Sequence, residues 1–101
     1  MDAAAAEALY EADRNGVRQI TGEIRDSKGG RCAVGVLQDA LGLLPVMRLN
    51  DSTSGPCPLC GVLPTEGKTY GENGLVLIAH LNDDHGLTFS EIARKLGPDS
   101  I

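Results

Sequence analysis

Aromatic residues are scarce in this 101-residue chain, which has no tryptophan and only Tyr10, Tyr70 and Phe89. The hydrophobic content of 42% must therefore supply a core of leucine, valine, isoleucine and alanine. A chain of this length forms one domain with a modest core, so we expect a single domain over residues 1–101. A bound metal or a cross-link adds usefully to the stability of such a small domain.

Long apolar segments and a secretory leader are also missing. The longest apolar run, Leu75 to Ala79, is far too short to span a bilayer, and residues 1–9 contain acids but neither Lys nor Arg. The three cysteines are an odd number without a secretory signal, which favours a reducing compartment and a metal site over disulfides. We expect a cytoplasmic protein that does not associate with membranes.

Basic residues are few, since nine Lys and Arg face fourteen Asp and Glu, for a net charge of −5. Binding to a phosphate backbone requires a basic face, and no run of basic residues provides one. Nucleic acid is therefore an unlikely partner on charge alone. An acidic surface is compatible with a protein partner, or with a protein that is merely soluble.

Cysteine and histidine provide the most informative pattern. The segment Cys57-Pro58-Leu59-Cys60-Gly61 places two thiolates on one tight turn, and the chain's two histidines, His80 and His85, follow. Two sulfurs and two imidazoles are the ligand set of a tetrahedral structural zinc site, which predicts a zinc-binding segment over residues 56–86. Four available ligands in this spacing indicate a closed site rather than a catalytic one.

Helix geometry constrains this prediction. Residues five apart lie about 140° apart around an ideal helix, so His80 and His85 can share one metal only if the helix ends near Asp84. Gly86 makes such an ending plausible. Alternatively, the cysteines are a reduced pair in a surface turn and His85 is a cation at a helix end. The sequence gives little support to a thioredoxin-like redox role for the two cysteines, because no strand precedes them and no helix begins at them.

Cys32 leaves two interpretations open. It begins an apolar helix after Gly29-Gly30-Arg31, so it is either a small buried hydrophobic residue or a zinc ligand that replaces one histidine.

Helices are also predicted over residues 2–14 and 74–84 and after Thr88, where Thr88 and Glu91 form a capping box. Ile20 to Asp26 alternates and predicts a short strand. The expected fold is mainly α with a short β-hairpin (α+β), stapled by a zinc knuckle.

Two segments resemble known families. Residues 56–86, with Leu77 one turn before His80, resemble two-Cys, two-His zinc fingers, although the gap between Cys60 and His80 exceeds the usual spacing of about 12 residues. Residues 86–97 (GLTFSEIARKLG) resemble the first helix of a helix-turn-helix, but no recognition helix follows them in this sequence. The alternative interpretation of 86–97 is a capped amphipathic helix on the core.

A broader resemblance involves residues 30–35 (GRCAVG), 81–83 (LND) and 88–96. These motifs are similar to a group of small uncharacterised proteins of actinobacteria and their phages. The resemblance implies no activity. It implies that Asn82 and Asp83 act as cap or turn residues that end one helix and position the next.

No enzymatic motif accompanies the zinc ligands. Asp83, Asp84 and His85 are adjacent, but neighbours on a helix point in different directions, and no phosphate loop or nucleophile motif is present. We therefore expect a zinc-binding, non-enzymatic protein, such as a protein-interaction module or a regulator of phage or bacterial origin that docks onto a larger host protein. The alternative is a sequence-specific nucleic-acid-binding regulator.

Overall fold

A computed structural model describes residues 3–42, 56–62 and 75–97. It contains four helices, α1 (Ala3–Arg14), α2 (Ala33–Leu41), α3 (Leu75–Asp83) and α4 (Phe89–Leu96). Helix α1 packs against α2 and α4, and α3 packs against the same two helices. Each helix therefore has two helical neighbours, and the four enclose one core. Within the described ranges, no helix is long and apolar enough to cross a membrane.

Among the described residues, the buried core is aliphatic apart from the ring of Phe89. Small side chains on α1 let its neighbours approach closely, since Ala5, Ala6 and Ala12 are all buried. The largest fully buried side chains come from all four helices and include one polar residue: Phe89, Leu9, Leu37, Ile78, Leu81, Ile92, Val34 and Asn82. Burial of this kind is the main stabilising contribution in a small domain, and here it fixes α3 against its neighbours.

The start of α4 follows the sequence pattern closely. The Thr88 hydroxyl accepts a hydrogen bond from the Glu91 amide at 3.1 Å, and the Glu91 carboxylate accepts one from the Thr88 amide at 2.8 Å. The predicted capping box is therefore confirmed. Asp13 on α1 accepts a further hydrogen bond from the Ser90 amide at 2.9 Å, which ties the end of α1 to the start of α4.

The predicted strand at Ile20 to Asp26 is wrong, and with it the α+β fold class. The loop between α1 and α2 contains only two isolated bridges, one from Arg31 to Gln19 and one from Arg31 to Arg25. Both bridges use the same residue, and Gly22 has a φ of +81°, so the alternating segment cannot extend into a ladder. The described part of the chain therefore consists of helices joined by loops and contains no β-strand. The sequence also predicts polar loops over residues 50–56 and 67–74, and apart from Pro56 these lie outside the described residues.

This loop packs onto α2 at a glycine. The Ile24 carbonyl accepts a hydrogen bond from the Cys32 amide at 3.0 Å, at the residue before α2 begins. An ideal Cβ on Gly35 would lie 2.4 Å from the same Ile24 oxygen, closer than real Cβ atoms come. Only glycine therefore permits this approach of the loop backbone to the helix.

Replacing Gly35 with alanine is expected to destabilise the protein by about 1–3 kcal/mol, because the new methyl displaces the Ile24 backbone. In an open helix the same change would stabilise by about 1 kcal/mol, so the sign itself is informative. Denaturant unfolding measures the effect, with the exposed Ala40→Ser in the same helix as a control expected to change little. A more stable Gly35→Ala variant would contradict this packing.

Candidate metal centre

Four side chains converge beside the C-terminal end of α3. The sulfurs of Cys57 and Cys60 and one ring nitrogen from each of His80 and His85 all lie within 4.8 Å of one another. Cys57 Sγ lies 3.4 Å from His85 Nε2, and Cys60 Sγ lies 3.5 Å from His80 Nε2. All four residues predicted from sequence as zinc ligands are thus brought together, in an arrangement that can hold a metal ion.

These distances fit one small tetrahedral ion. Zinc–sulfur bonds of about 2.3 Å and zinc–nitrogen bonds of about 2.0–2.1 Å, at tetrahedral angles, place sulfur and nitrogen ligands about 3.6 Å apart. The two measured sulfur–nitrogen separations are 3.4 and 3.5 Å. The same geometry separates two sulfurs by about 3.8 Å, within the 4.8 Å span of the cluster. The side chains are therefore already spaced for coordination.

A tight turn presents the two sulfurs. The Gly61 amide donates to the Cys57 carbonyl at 2.8 Å, and the Cys57 amide donates to the Val62 carbonyl at 2.8 Å. Gly61 has a φ of +76°, which the turn requires and which glycine adopts without strain. The Leu59 amide donates a hydrogen bond to Cys57 Sγ at 3.4 Å, which holds this sulfur in place within the turn. Cys57 is 2% exposed, whereas Cys60 is exposed.

The end of α3 presents the two imidazoles. His80 lies in its last turn, and the helix ends at Asp83. Gly86 has a φ of +64°, and the Leu87 amide returns to donate to the Leu81 carbonyl at 3.2 Å. His85 lies in this reversal rather than on the helix, and its ring meets that of His80 edge-on with centroids 4.8 Å apart. The helix thus ends beside Asp84, as a metal shared by both histidines would require.

Asp84 orients the first of these imidazoles. His80 Nδ1 and an Asp84 carboxylate oxygen lie 2.8 Å apart, which fits an N–H that donates to the carboxylate. With the proton held on Nδ1, the Nε2 lone pair faces Cys60 and is free to bind a metal. The sequence interpretation missed this role, although the i,i+4 spacing of His80 and Asp84 at the end of α3 was a signal for it.

Replacing Asp84 with alanine is expected to weaken zinc binding at this cluster about 10–100-fold, because His80 loses the group that fixes its tautomer and the orientation of its ring. Competition against a chromogenic chelator measures the affinity. Glu11→Ala removes an exposed carboxylate from α1 and serves as the matched control, with no expected change. Equal zinc affinity for the two variants would show that Asp84 does not orient the ligand.

Asn82 anchors the helix that carries the histidines. It is fully buried, and its side-chain oxygen accepts hydrogen bonds from the Ala33 amide at 2.9 Å and from Gln19 Nε2 at 2.7 Å. Its amide nitrogen donates to the Ile20 carbonyl at 2.9 Å and to Asp83 Oδ1 at 2.7 Å. Asn82 thereby caps the first helical residue of α2 and ties α3 to the preceding loop.

The side chain of Gln19 completes this polar network. Its Nε2 also donates to the Leu87 carbonyl at 2.6 Å, in the reversal that contains His85. The amides of Asn82 and Gln19 thus hold both the end of α3 and the residue that follows Gly86. The resemblance implied a cap or turn role for Asn82 within the chain reversal, whereas the structure makes it a buried link to distant segments. Nothing in the spacing of Gln19 indicated its part.

Cys32 does not belong to the cluster, which among the residues that the structure describes consists of two other cysteines and the two histidines. It is 3% exposed and precedes the first residue of α2, where its side chain makes no capping hydrogen bond. Burial raises the pKa of the Cys32 thiol, and the nearby charge of Asp83 adds to the effect. A protonated, buried thiol is a packing residue, which favours the first of the two interpretations of Cys32.

Comparisons with known proteins add no relative: no protein-family model, curated protein or solved structure matches the chain. The resemblance to small actinobacterial and phage proteins therefore finds no support. The geometry of Cys57, Cys60, His80 and His85, which is compatible with a zinc-binding site, is what indicates a function.

Proposed function

We propose that this chain binds one structural zinc ion through Cys57, Cys60, His80 and His85 and serves as a small non-enzymatic interaction module or regulator. The observation that carries the zinc assignment is the convergence of the four ligand atoms within 4.8 Å. The ion joins the Cys57–Gly61 turn to the end of α3, two segments far apart in sequence. It thereby adds a cross-link to a small core.

The ligand types favour zinc and a structural role. Thiolate and imidazole are soft or borderline donors, which suit zinc and disfavour magnesium or calcium. Four protein ligands fill a tetrahedral shell, whereas catalytic zinc sites keep a position open for water or substrate. A metal with no open position stabilises the fold and takes no part in a reaction.

Metal analysis of protein purified without a metal-affinity tag tests this proposal. We expect one zinc ion per chain, and a Cys57→Ser, Cys60→Ser double variant provides the matched sample from which zinc should be missing. A zinc content near zero in the wild-type protein, together with an intact helical circular dichroism spectrum, would contradict the proposal.

The charge distribution supports a protein partner over nucleic acid. The net charge is −5, and the arginines of α1 and the following loop are paired with carboxylates. The hydrogen bond from Arg18 is the main cause of the lowered pKa of Asp26, and the Gly30 and Lys28 amides lower it further. The Asp26 carboxylate is therefore charged at neutral pH and forms an ion pair with Arg18. The remaining pairs are Arg14–Glu7, Arg25–Asp39 and Arg31–Asp39. Paired arginines offer little net positive potential to a phosphate backbone.

A nucleic-acid-binding role is the second candidate, because Arg94 and Lys95 are exposed on α4, the helix that resembles part of a helix-turn-helix. A fluorescence anisotropy titration with random-sequence duplex DNA, at low and at physiological salt, separates the two candidates. The basic side chains of Arg94 and Lys95 supply few phosphate contacts, so we expect no appreciable DNA binding at physiological salt. Micromolar binding that falls steeply with salt, and that an Arg94→Ala, Lys95→Ala variant loses, would favour nucleic acid instead.

A further inference from the structure

The two sulfurs of the metal centre differ in their access to solvent. Cys60 is exposed, whereas Cys57 is 2% exposed and belongs to the core cluster. A zinc-bound cysteine is a thiolate, and thiolates rather than thiols react with peroxides. An oxidant can therefore reach Cys60 from solvent, whereas Cys57 is shielded by the core.

We propose that the metal centre is a peroxide-sensitive switch, in which oxidation joins Cys57 and Cys60 in a disulfide and expels the metal. This inference rests on the proposed zinc binding. Cys60 is the residue attacked first, and Cys57 is the residue that resolves the intermediate. The role differs from thioredoxin-like catalysis, since the product is the loss of a structural ion rather than the reduction of a substrate.

The chemistry balances with hydrogen peroxide as the oxidant. The Cys60 thiolate attacks one peroxide oxygen, the O–O bond breaks, and Cys60 becomes a sulfenic acid as hydroxide leaves. The Cys57 thiolate then attacks the Cys60 sulfur, an S–S bond forms, and a second hydroxide leaves. The two sulfurs together lose two electrons, which the peroxide accepts, and two protons from solvent convert both hydroxides to water.

The turn geometry permits this disulfide but not together with the metal. Residues three apart in a tight turn have Cα atoms within about 7 Å, which overlaps the range of about 4.4–6.8 Å found in disulfides. A disulfide requires sulfurs about 2.05 Å apart, whereas two zinc-bound sulfurs lie about 3.8 Å apart. Oxidation also removes both thiolate charges and leaves only His80 and His85, so the ion loses half of its ligands.

The test uses wild-type protein whose zinc content has first been measured, so that a failure to bind zinc is distinguished from a failure to release it. Loaded protein is treated with hydrogen peroxide in the presence of a chromogenic zinc indicator, with the indicator alone as the blank. We expect the bound zinc to be released in step with the loss of two thiols. Peptide mapping after differential alkylation should identify a Cys57–Cys60 disulfide, and dithiothreitol with added zinc should restore the loaded form.

Two variants sharpen the result. Cys32→Ser removes the buried thiol outside the cluster and should release zinc as the wild type does. Cys60→His keeps four potential ligands but removes the exposed sulfur, and should retain zinc at a peroxide concentration that empties the wild type. Zinc retention by oxidised wild-type protein would overturn the proposal. So would release with sulfinic or sulfonic acids in place of the disulfide, or release that depends on Cys32.

Discussion

Replacing Cys57 with serine is expected to lower the free energy of unfolding by several kcal/mol in zinc-containing buffer, enough to unfold much of the protein. Structural zinc contributes about 10–16 kcal/mol in zinc-finger peptides, which is comparable to the entire stability of a small domain, about 5–15 kcal/mol. Cys57 belongs both to the proposed ligand set and to the buried core, so its loss is expected to open the link between the turn and α3.

Cys32→Ser is the matched control, because it also replaces a buried thiol by a hydroxyl. We expect a cost of only about 1–2 kcal/mol, since serine at the residue that precedes α2 is a favourable helix cap. Thermal or denaturant unfolding measures the stability of each variant. A zinc chelator should reduce the difference in stability between the wild type and Cys57→Ser, because it destabilises the wild type far more. Equal losses for the two variants in zinc-containing buffer would contradict the ligand assignment.

Replacing Asn82 with alanine is expected to cost about 3–5 kcal/mol, because it leaves buried groups without partners and opens a cavity. The Ala33 amide loses its acceptor and the Ile20 carbonyl loses its donor. Gln19 loses one of two partners but keeps the Leu87 carbonyl. Denaturant unfolding measures the change, with the exposed Asn15→Ala as the control at a loop position.

The Asn82 and Cys57 variants should differ in their response to zinc. Asn82 is not a ligand, so Asn82→Ala should bind one zinc ion per chain while it remains folded, and added zinc should stabilise it. Cys57→Ser lacks a ligand and should gain much less from added zinc. An Asn82→Ala variant as stable as the wild type would show that the buried network contributes little.

The turn at the two cysteines and the capped start of α4 were predictable from sequence because both follow local rules. A Cys-x2-Cys segment ordinarily forms a tight turn. The capping box of Thr88 and Glu91 provides hydrogen bonds to backbone amides within the same four residues. The grouping of the cysteines with the histidines rested on ligand chemistry rather than on local structure. The structure brings Cys57, Cys60, His80 and His85 together as the sequence suggested.

The loop between α1 and α2 was mispredicted because its conformation is set by distant contacts. The alternation of Ile20, Gly22 and Ile24 resembles a strand, but Gly22 is exposed, and the two isoleucines meet helices rather than a partner strand. The Ile24 carbonyl lies over Gly35, and the Ile20 carbonyl meets Asn82. Periodicity describes which faces are apolar, and it carries no information about which segment will cover them.

The side chains that support the site also escaped prediction, because their partners are far away in sequence. Gln19 and Asn82 are separated by 63 residues, and Asn82 and the Ala33 amide by 49. A lone Asn before an acidic pair is typical of a helix end, and the sequence resemblance implied only a cap or turn role for Asn82. Its complete burial follows only from the packing of α3 against α2 and the loop.

Zinc K-edge X-ray absorption spectroscopy of the loaded protein tests the central claim most directly, since it counts ligand types around the ion without a substitution. Coordination by all four residues predicts two sulfurs at about 2.3 Å and two nitrogens at about 2.0–2.1 Å, with a spectrum unchanged in Cys32→Ser. A shell made only of oxygen and nitrogen, or one with a single sulfur, would contradict the metal centre formed by Cys57, Cys60, His80 and His85.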